Sequence, residues 1–536
     1  MFDALYQPYP SNRYCITARN GMVASGSNLA TAAGLEILRK GGNAIDAAVA
    51  TAAALTVVEP TANGLGSDAF ALVWVKDQLY GLNASGYSPK HISLEEVRKK
   101  SPDGQMPRYG WTPVMVPGAV KGWGALLKRF GRLSLKKVLE PAIRYAEEGY
   151  PLSPLLAKMW ERATEIYHGR FDGQKEYENW FRTFTKNGES YHFGEIVKLP
   201  DHARTLRLIA ETDTDAFYKG EIAEQFVRQS QRDGGCFVKE DLCGYDVEWV
   251  DPISVSYRGY DVWEIPPNGQ GIVALMALNM LKEFDFSEKE DIDTYHKQIE
   301  AIKIAFAEAK HHVTDPRKMR IDYHDLLKEE YGKNQARLIK DRALLLEPVE
   351  VPKSGTVYLC TADGEGNMVS YIQSNYMGFG SGIVLEGYGV SLQNRGADFS
   401  LDPRKANALE PHKKSYHTII PGFLTKDGKA VGPFGVMGGY MQPQGHLQVL
   451  MNLIDFNLNP QMALDAPRWQ WLEGKRVIVE PEFPKELVQQ LCERGHEVTF
   501  AENRTSFGRG QITWRLENGV LVGGTESRTD SNIACY

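Results

Sequence analysis

The chain has 536 residues, 43% hydrophobic and 24% charged, with a formal net charge of -7 at pH 7 and a sequence pI of about 6.0. This length permits one large domain or several ordinary ones, with a sizeable core. No basic tract recruits nucleic acid or an anionic membrane, and no stretch approaches the roughly 18 apolar residues of a spanning helix, so neither is an expected partner.

The opening "MFDALYQPYPSNRYCITARNG" lacks a basic region followed by an apolar core. That predicts no secretory leader and a cytoplasmic protein. Cys15, Cys236, Cys243, Cys360, Cys492 and Cys535 are scattered and form no CxxC, which reads as free thiols.

Along the chain, Leu29, Ala33 and Ile37 recur every four residues and predict a helix ending at Gly41-Gly42. Asn43 can cap a second, alanine-rich helix that stops before Pro60. "NGLGSDAFALVWV" reads as a glycine loop feeding a buried strand. Ile292, Tyr295, Ile299, Ile302 and Phe306 alternate spacings of three and four, an amphipathic helix. Lys310 to Gly355 is polar and charged and is the candidate exposed linker. "GTVYLCTADGEGNMVSYIQSNY" then reads as a hairpin turning at Asp363–Asn367, and mostly strands follow, with a helix near "GHLQVLMNLIDF". Helices flank strands in both halves, so the expected class is a layered α/β fold.

Several common chemistries lack their motifs: there is no GxSxG, HExxH, Walker A loop or GxGxxG. His311-His312 are adjacent and do not share a helix face, and His412 and His417 are poorly spaced for chelation. No metal and no cofactor is expected. Two features remain. Symmetric pairing about Glu365 sets Thr356 opposite Ser374, where two hydroxyls can share a hydrogen bond. Gly438-Gly439 ends a strand shortly before a helix, where successive amides can form an anion nest. From spacing alone, a Thr–Ser sheet pair and a tight turn are the simpler accounts.

Taken together, "GLEILRKGGNAIDAAVATAAAL", "VPGAVKGW", "YRGYDVWEIPPNGQG", "GTVYLCTADGEGNMVS", "GFGSGIVLEGYGVSLQN", "ADFS", "GVMGGY" and "ALDAPRWQW" give the chain a further reading. It resembles the gamma-glutamyltranspeptidases, which are N-terminal-nucleophile hydrolases, over nearly its whole length. The resemblance implies a four-layer αββα sandwich and a precursor that cuts itself between Gly355 and Thr356. A large subunit, 1–355, and a small subunit, 356–536, then build one core. The chemistry is coherent. A threonine hydroxyl needs a nearby base, and a free α-amino group with a pKa of about 7.7–8.0 supplies one that an internal amide nitrogen cannot.

The resemblance also assigns roles. Thr356 is the nucleophile, Ser374 its hydrogen-bond partner, and Gly438 and Gly439 the oxyanion-binding pair. Asp398 holds a substrate α-amino group, and Ser415 is the first of two serines that hold an α-carboxylate. Four substrate positions depart from the pattern: Ser85 falls where the family has arginine, Tyr376 where it has asparagine, Arg395 where it has glutamine or glutamate, and Tyr416 where it has the second serine. The segment between Asp398 and Ser415 is short, so the covering loop of many members is expected to be missing. The expected activity is cleavage of a small-molecule γ-glutamyl or related amide through an acyl-Thr356 intermediate, with transfer to water or an amine. A cephalosporin or glutaryl acylase-like amidohydrolase is the alternative, and a non-catalytic binding module is the alternative of another class.

Overall fold

A computed structural model describes residues 13–346 and 355–536. Most of the opening stretch read for a leader, and the end of the charged segment at 347–354, lie outside the described residues.

The first helix, Asn28–Arg39, and the second, Ala44–Val58, form where the sequence predicts them. The Asn43 side chain accepts from Ile45 N and Asp46 N, while Asp46 accepts from Asn43 N at 2.8 Å, a reciprocal cap. Every residue of Ala44–Val58 is buried. Its small side chains let it pack closely on the sheet beneath.

That sheet has seven antiparallel strands in the order Asn532–Cys535, Gly21–Ser25, Gly355–Asp363, Met368–Tyr376, Asp68–Val75, Gln78–Ala84 and Glu248–Val250. A second antiparallel sheet orders Ile16–Ala18, Leu521–Thr525, Arg509–Arg515, Lys429–Met437, Gly422–Lys426, Tyr260–Glu264 and Ile253–Tyr257. Met22, Phe70, Tyr358, Met368, Ile372 and Phe423 fill the space between the sheets. Helices around Ala44–Val58 cover the outside of the first sheet, and Gly271–Leu281, Ile292–His312 and Met441–Ile454 cover the second. The result is a four-layer αββα sandwich. Chain on both sides of Gly355 supplies strands to both sheets, so a break there would leave two interleaved halves with a common core.

Two expectations are corrected. Ile292–His312 is not one-sided: Glu300 and Lys303 are as buried as Ile299 and Ile302. A smaller sheet, Trp469–Glu473, Arg476–Val479 and Glu497–Phe500, and the helix Lys485–Glu493 cover its other side. Lys303 Nζ donates to Glu300 at 2.7 Å, which makes that burial tolerable. Nor is the charged segment an exposed linker over its described part. The helix continues to His312, Val313–Asp315 are buried, and short helices follow at Pro316–Lys318, Tyr323–Leu327 and Glu329–Ala336. Its charges pair, as in Arg317–Asp315 and Lys318–Glu410, so polarity here marks docking rather than solvation.

Candidate active site

The central hairpin carries the site. Val357 pairs with Gln373 and Ala362 with Met368, but the register slips at the start, where Gly355 pairs with Tyr376. Ser374 and Asn375 therefore both stand against Thr356, a β-bulge that re-aims the side chains. Thr356 is fully buried, and its Oγ1 lies 3.0 Å from Ser374 Oγ. Ser374 Oγ donates to the Gly355 carbonyl at 2.8 Å and accepts from Tyr376 N at 2.8 Å. A serine has one hydroxyl proton; with it committed to Gly355, the Thr356 hydroxyl is the donor in the 3.0 Å contact. Tyr376 holds φ +75°, a left-handed conformation rare for a bulky residue. The Ser374 bond and the Arg395 guanidinium, 4.0 Å from its ring centre, hold it there.

Gly438 and Gly439 follow the strand Lys429–Met437 with φ of +138° and +59°. That strand crosses the hairpin face to face. A Cβ on Gly432 would meet Met368, the partner of Ala362, at 3.0 Å; one on Gly435 would meet the Tyr358 ring at 2.4 Å. The strand thus runs along the hairpin toward Thr356, and the glycine pair arrives at that end.

Beside the bulge is a buried charged network. Asp68 pairs with Ser374 across the sheet. His417 Nδ1 accepts from Ile419 N at 3.3 Å, so its Nε2–H donates to Asp68 Oδ2 at 3.0 Å. Burial pushes the Asp68 carboxyl up to about 7 although Arg395 pulls it down, and burial, assisted by Arg395, holds His417 well below the usual imidazole range. Arg395 is 1% exposed and donates through Nη1 to Thr418 Oγ1 at 2.8 Å, while its Nε and Nη2 find no partner among the described residues. Asp398 Oδ1 accepts from Tyr440 at 2.6 Å and Tyr376 at 3.4 Å, with Lys310 Nζ at 3.7 Å; its Oδ2 has no partner among the described residues.

Gly355, Thr356, Ser374 and Tyr376 therefore meet at the bulge, and Arg395 and Asp398 flank Tyr376. Tyr416 stacks on Tyr440 at 6.0 Å and donates to Gln270 Oε1 at 3.2 Å; Gln270 in turn donates to Gly439 O. Ser85 and Ser415 are tied into a network with Asn83 and Asn268. Ser85 Oγ donates to Asn83 at 2.7 Å, Ser415 Oγ donates to Tyr416 O, and Asn268 Nδ2 bridges Ser85 Oγ and Ser415 O. Sequence reasoning missed Asp68, His417, Lys310 and Tyr440. A carboxylate opening the apolar run "DAFALVWV" was a usable signal for the first. Among the described residues, His296, Glu300 and His496 lie close enough to share an ion, but Lys303 and Leu344 N already bond the Glu300 carboxylate.

The gamma-glutamyltranspeptidase family matches residues 30–536. The chain belongs to that family. It is similar to a cephalosporin acylase from Bacillus halodurans of known crystal structure, with TM-score 0.97 and 55% identity, covering 100% of this chain and 99% of that one. It is 37% identical over 524 residues to the glutathione hydrolase-like YwrD proenzyme of Bacillus subtilis (strain 168), covering 95% and 97% of the two chains. It is 32% identical over 530 residues to the oxamate amidohydrolase proenzyme of Klebsiella pneumoniae (strain ATCC 700721 / MGH 78578), covering 96% and 98%. The αββα sandwich is that of the N-terminal-nucleophile hydrolases in this family. No helix among the described residues is long and apolar enough to cross a membrane.

Proposed function

We propose that this gamma-glutamyltranspeptidase-family chain is the precursor of an amidohydrolase that cuts itself between Gly355 and Thr356 and then uses Thr356 to carry an acyl group. The observation that carries this reading is the relay Thr356 Oγ1–H to Ser374 Oγ, and Ser374 O–H to Gly355 O. It orients the nucleophile and polarises the carbonyl that the nucleophile must attack.

In maturation, Thr356 Oγ attacks the Gly355 carbonyl carbon, the peptide C–N bond breaks, and the freed nitrogen takes the hydroxyl proton. Water then hydrolyses the Gly355–Thr356 ester, leaving a carboxylate on Gly355 and a free α-amine on Thr356. In turnover, that amine accepts the Oγ proton as Oγ attacks a substrate amide, and returns it to the departing amine. The amides of Gly438 and Gly439 hold the oxyanion, a contribution of about 10²–10³ in rate for one donor. Water or an amine takes the acyl group.

Two acyl classes compete. A γ-glutamyl donor fits the names of the glutathione hydrolase relatives; a carboxylate-bearing acyl amide without an α-amine fits the name of the oxamate amidohydrolase relative, and the acylase names point to an acyl amide. Arg395 suits the carboxylate that both carry; the loss of the family's glutamyl-binding residues at Ser85, Tyr376 and Tyr416 favours the second. Arg395 is a fully buried cation whose Nε and Nη2 have no partner among the described residues, and Ser85 brings no positive charge at the family's arginine position. The experiment is kcat/KM for glutaryl, γ-glutamyl and butyryl p-nitroanilides on the wild type and on Arg395→Ala. The expected result is preference for glutaryl and a far larger loss with glutaryl than with butyryl. Equal losses, or preference for γ-glutamyl, contradict the acyl assignment. No release from any anilide by matured protein favours a binding module.

A further inference from the structure

The charges around Asp398 point to a specificity determinant on an element remote in sequence. We propose that Lys310 occupies the position of a ligand ammonium, so that the site accepts an acyl group bearing a carboxylate and rejects the same group bearing an added α-amine. This rests on the acyl-transfer reading above and names the feature that selects its substrate.

Lys310 is the third-last residue of the helix Ile292–His312, so it reaches the site from the layer covering the second sheet. Its Nζ stands 4.1 Å from the ring centres of both Tyr416 and Tyr440, a two-ring cradle suited to an ammonium. It donates to the Tyr440 hydroxyl, which donates to Asp398 Oδ1 at 2.6 Å, and Nζ itself is 3.7 Å from that oxygen. One carboxylate oxygen is thus already served by a cation and a hydroxyl of the protein. Arg395 lies over the Tyr376 ring, and among the described residues its Nε and Nη2 are buried without partners. Near this one carboxylate there are consequently two protein cations. Unpaired guanidinium donors call for an anion. An ammonium brought to the free Asp398 Oδ2 would enter beside the part-buried Lys310 ammonium, and like charges at this range repel. Without Lys310, the same carboxylate would be free to hold that amine.

Glutarate and L-glutamate differ by this one amine, which makes them the probes. Calorimetry on the matured wild type should show glutarate binding at least about 10-fold tighter than L-glutamate. In Lys310→Met the gap should shrink by about 10-fold or reverse, and the kcat/KM ratio of glutaryl to γ-glutamyl p-nitroanilide should move with it. Lys310→Arg, which keeps the charge, should retain the wild-type ratio. Equal affinities in the wild type, no binding of either anion, or an unchanged ratio in a folded Lys310→Met would overturn the proposal. If Lys310→Met does not fold, the wild-type comparison and Lys310→Arg still decide. Binding selectivity without turnover would instead sink the acyl-transfer reading and leave this one standing.

Discussion

Ser374 donates its only hydroxyl proton to the carbonyl of Gly355 at 2.8 Å. The same oxygen sits 3.0 Å from Thr356 Oγ1, so one side chain touches both the carbonyl to be attacked and the hydroxyl that attacks it. Ser374→Ala removes the donor to the carbonyl and the acceptor for the nucleophile together. We expect self-cleavage about 10²-fold slower, in line with loss of one oxyanion donor. The orphaned Tyr376 N–H costs about 1–3 kcal/mol of stability, which a large two-sheet core tolerates. A time course of fragment formation checks this. Wild-type kinetics in the variant would separate Ser374 from maturation.

Gly355 makes a close approach that a side chain would spoil. A Cβ there would lie 3.0 Å from both Ala62 Cα and Thr61 O, at the end of the alanine-rich helix region, and 3.3 Å from Gly378 N. Gly355→Ala must shift the backbone at the bulge by a few tenths of an ångström, which misaims the Gly355 carbonyl from Ser374. The expected outcome is slower cutting and a lowered Tm, read by gel densitometry and thermal melts. Cleavage at the wild-type rate would show that the bulge has room to spare.

Asp68 gives a pH signature. Its carboxyl is at about 7 in the fold against 3.8 ordinarily. Between these values the folded protein keeps a proton that the unfolded chain has lost, so this residue lowers stability as pH rises from about 4 to 7, by about 4 kcal/mol in all. Asp68→Asn removes that dependence. Relative to the wild type, its unfolding free energy should gain more at pH 8 than at pH 5. A pH-independent difference would mean that Asp68 is already ionised in the fold.

The hairpin was legible because strand pairing is counted residue by residue: symmetry about Glu365 holds from Ala362–Met368 to Val357–Gln373 and sets Ser374 against Thr356, and the bulge there adds Asn375 without moving Ser374 away. The Asn43 cap was legible because its partners are local. Lys310 was not. Its neighbours Tyr416 and Tyr440 are over a hundred residues away, and its own surroundings, "AEAKHH", look like the start of a solvated segment. His417 was weighed only as a metal ligand, whereas its partner, Asp68, opens the distant strand Asp68–Val75. Burial of a polar helix face, as at Glu300 and Lys303, depends on what packs over it, which periodicity within the helix does not encode.

The central claim is that Thr356 becomes a chain terminus. Intact-mass measurement of the purified protein, with N-terminal sequencing of the smaller species, tests it most directly. The account predicts two fragments, 1–355 and 356–536, that co-purify because each supplies strands to both sheets, with the smaller beginning Thr-Val-Tyr-Leu. Thr356→Ala should give a single mass. A wild-type protein that stays one uncut chain while turning over anilides, or a small fragment with any other first residue, would contradict it.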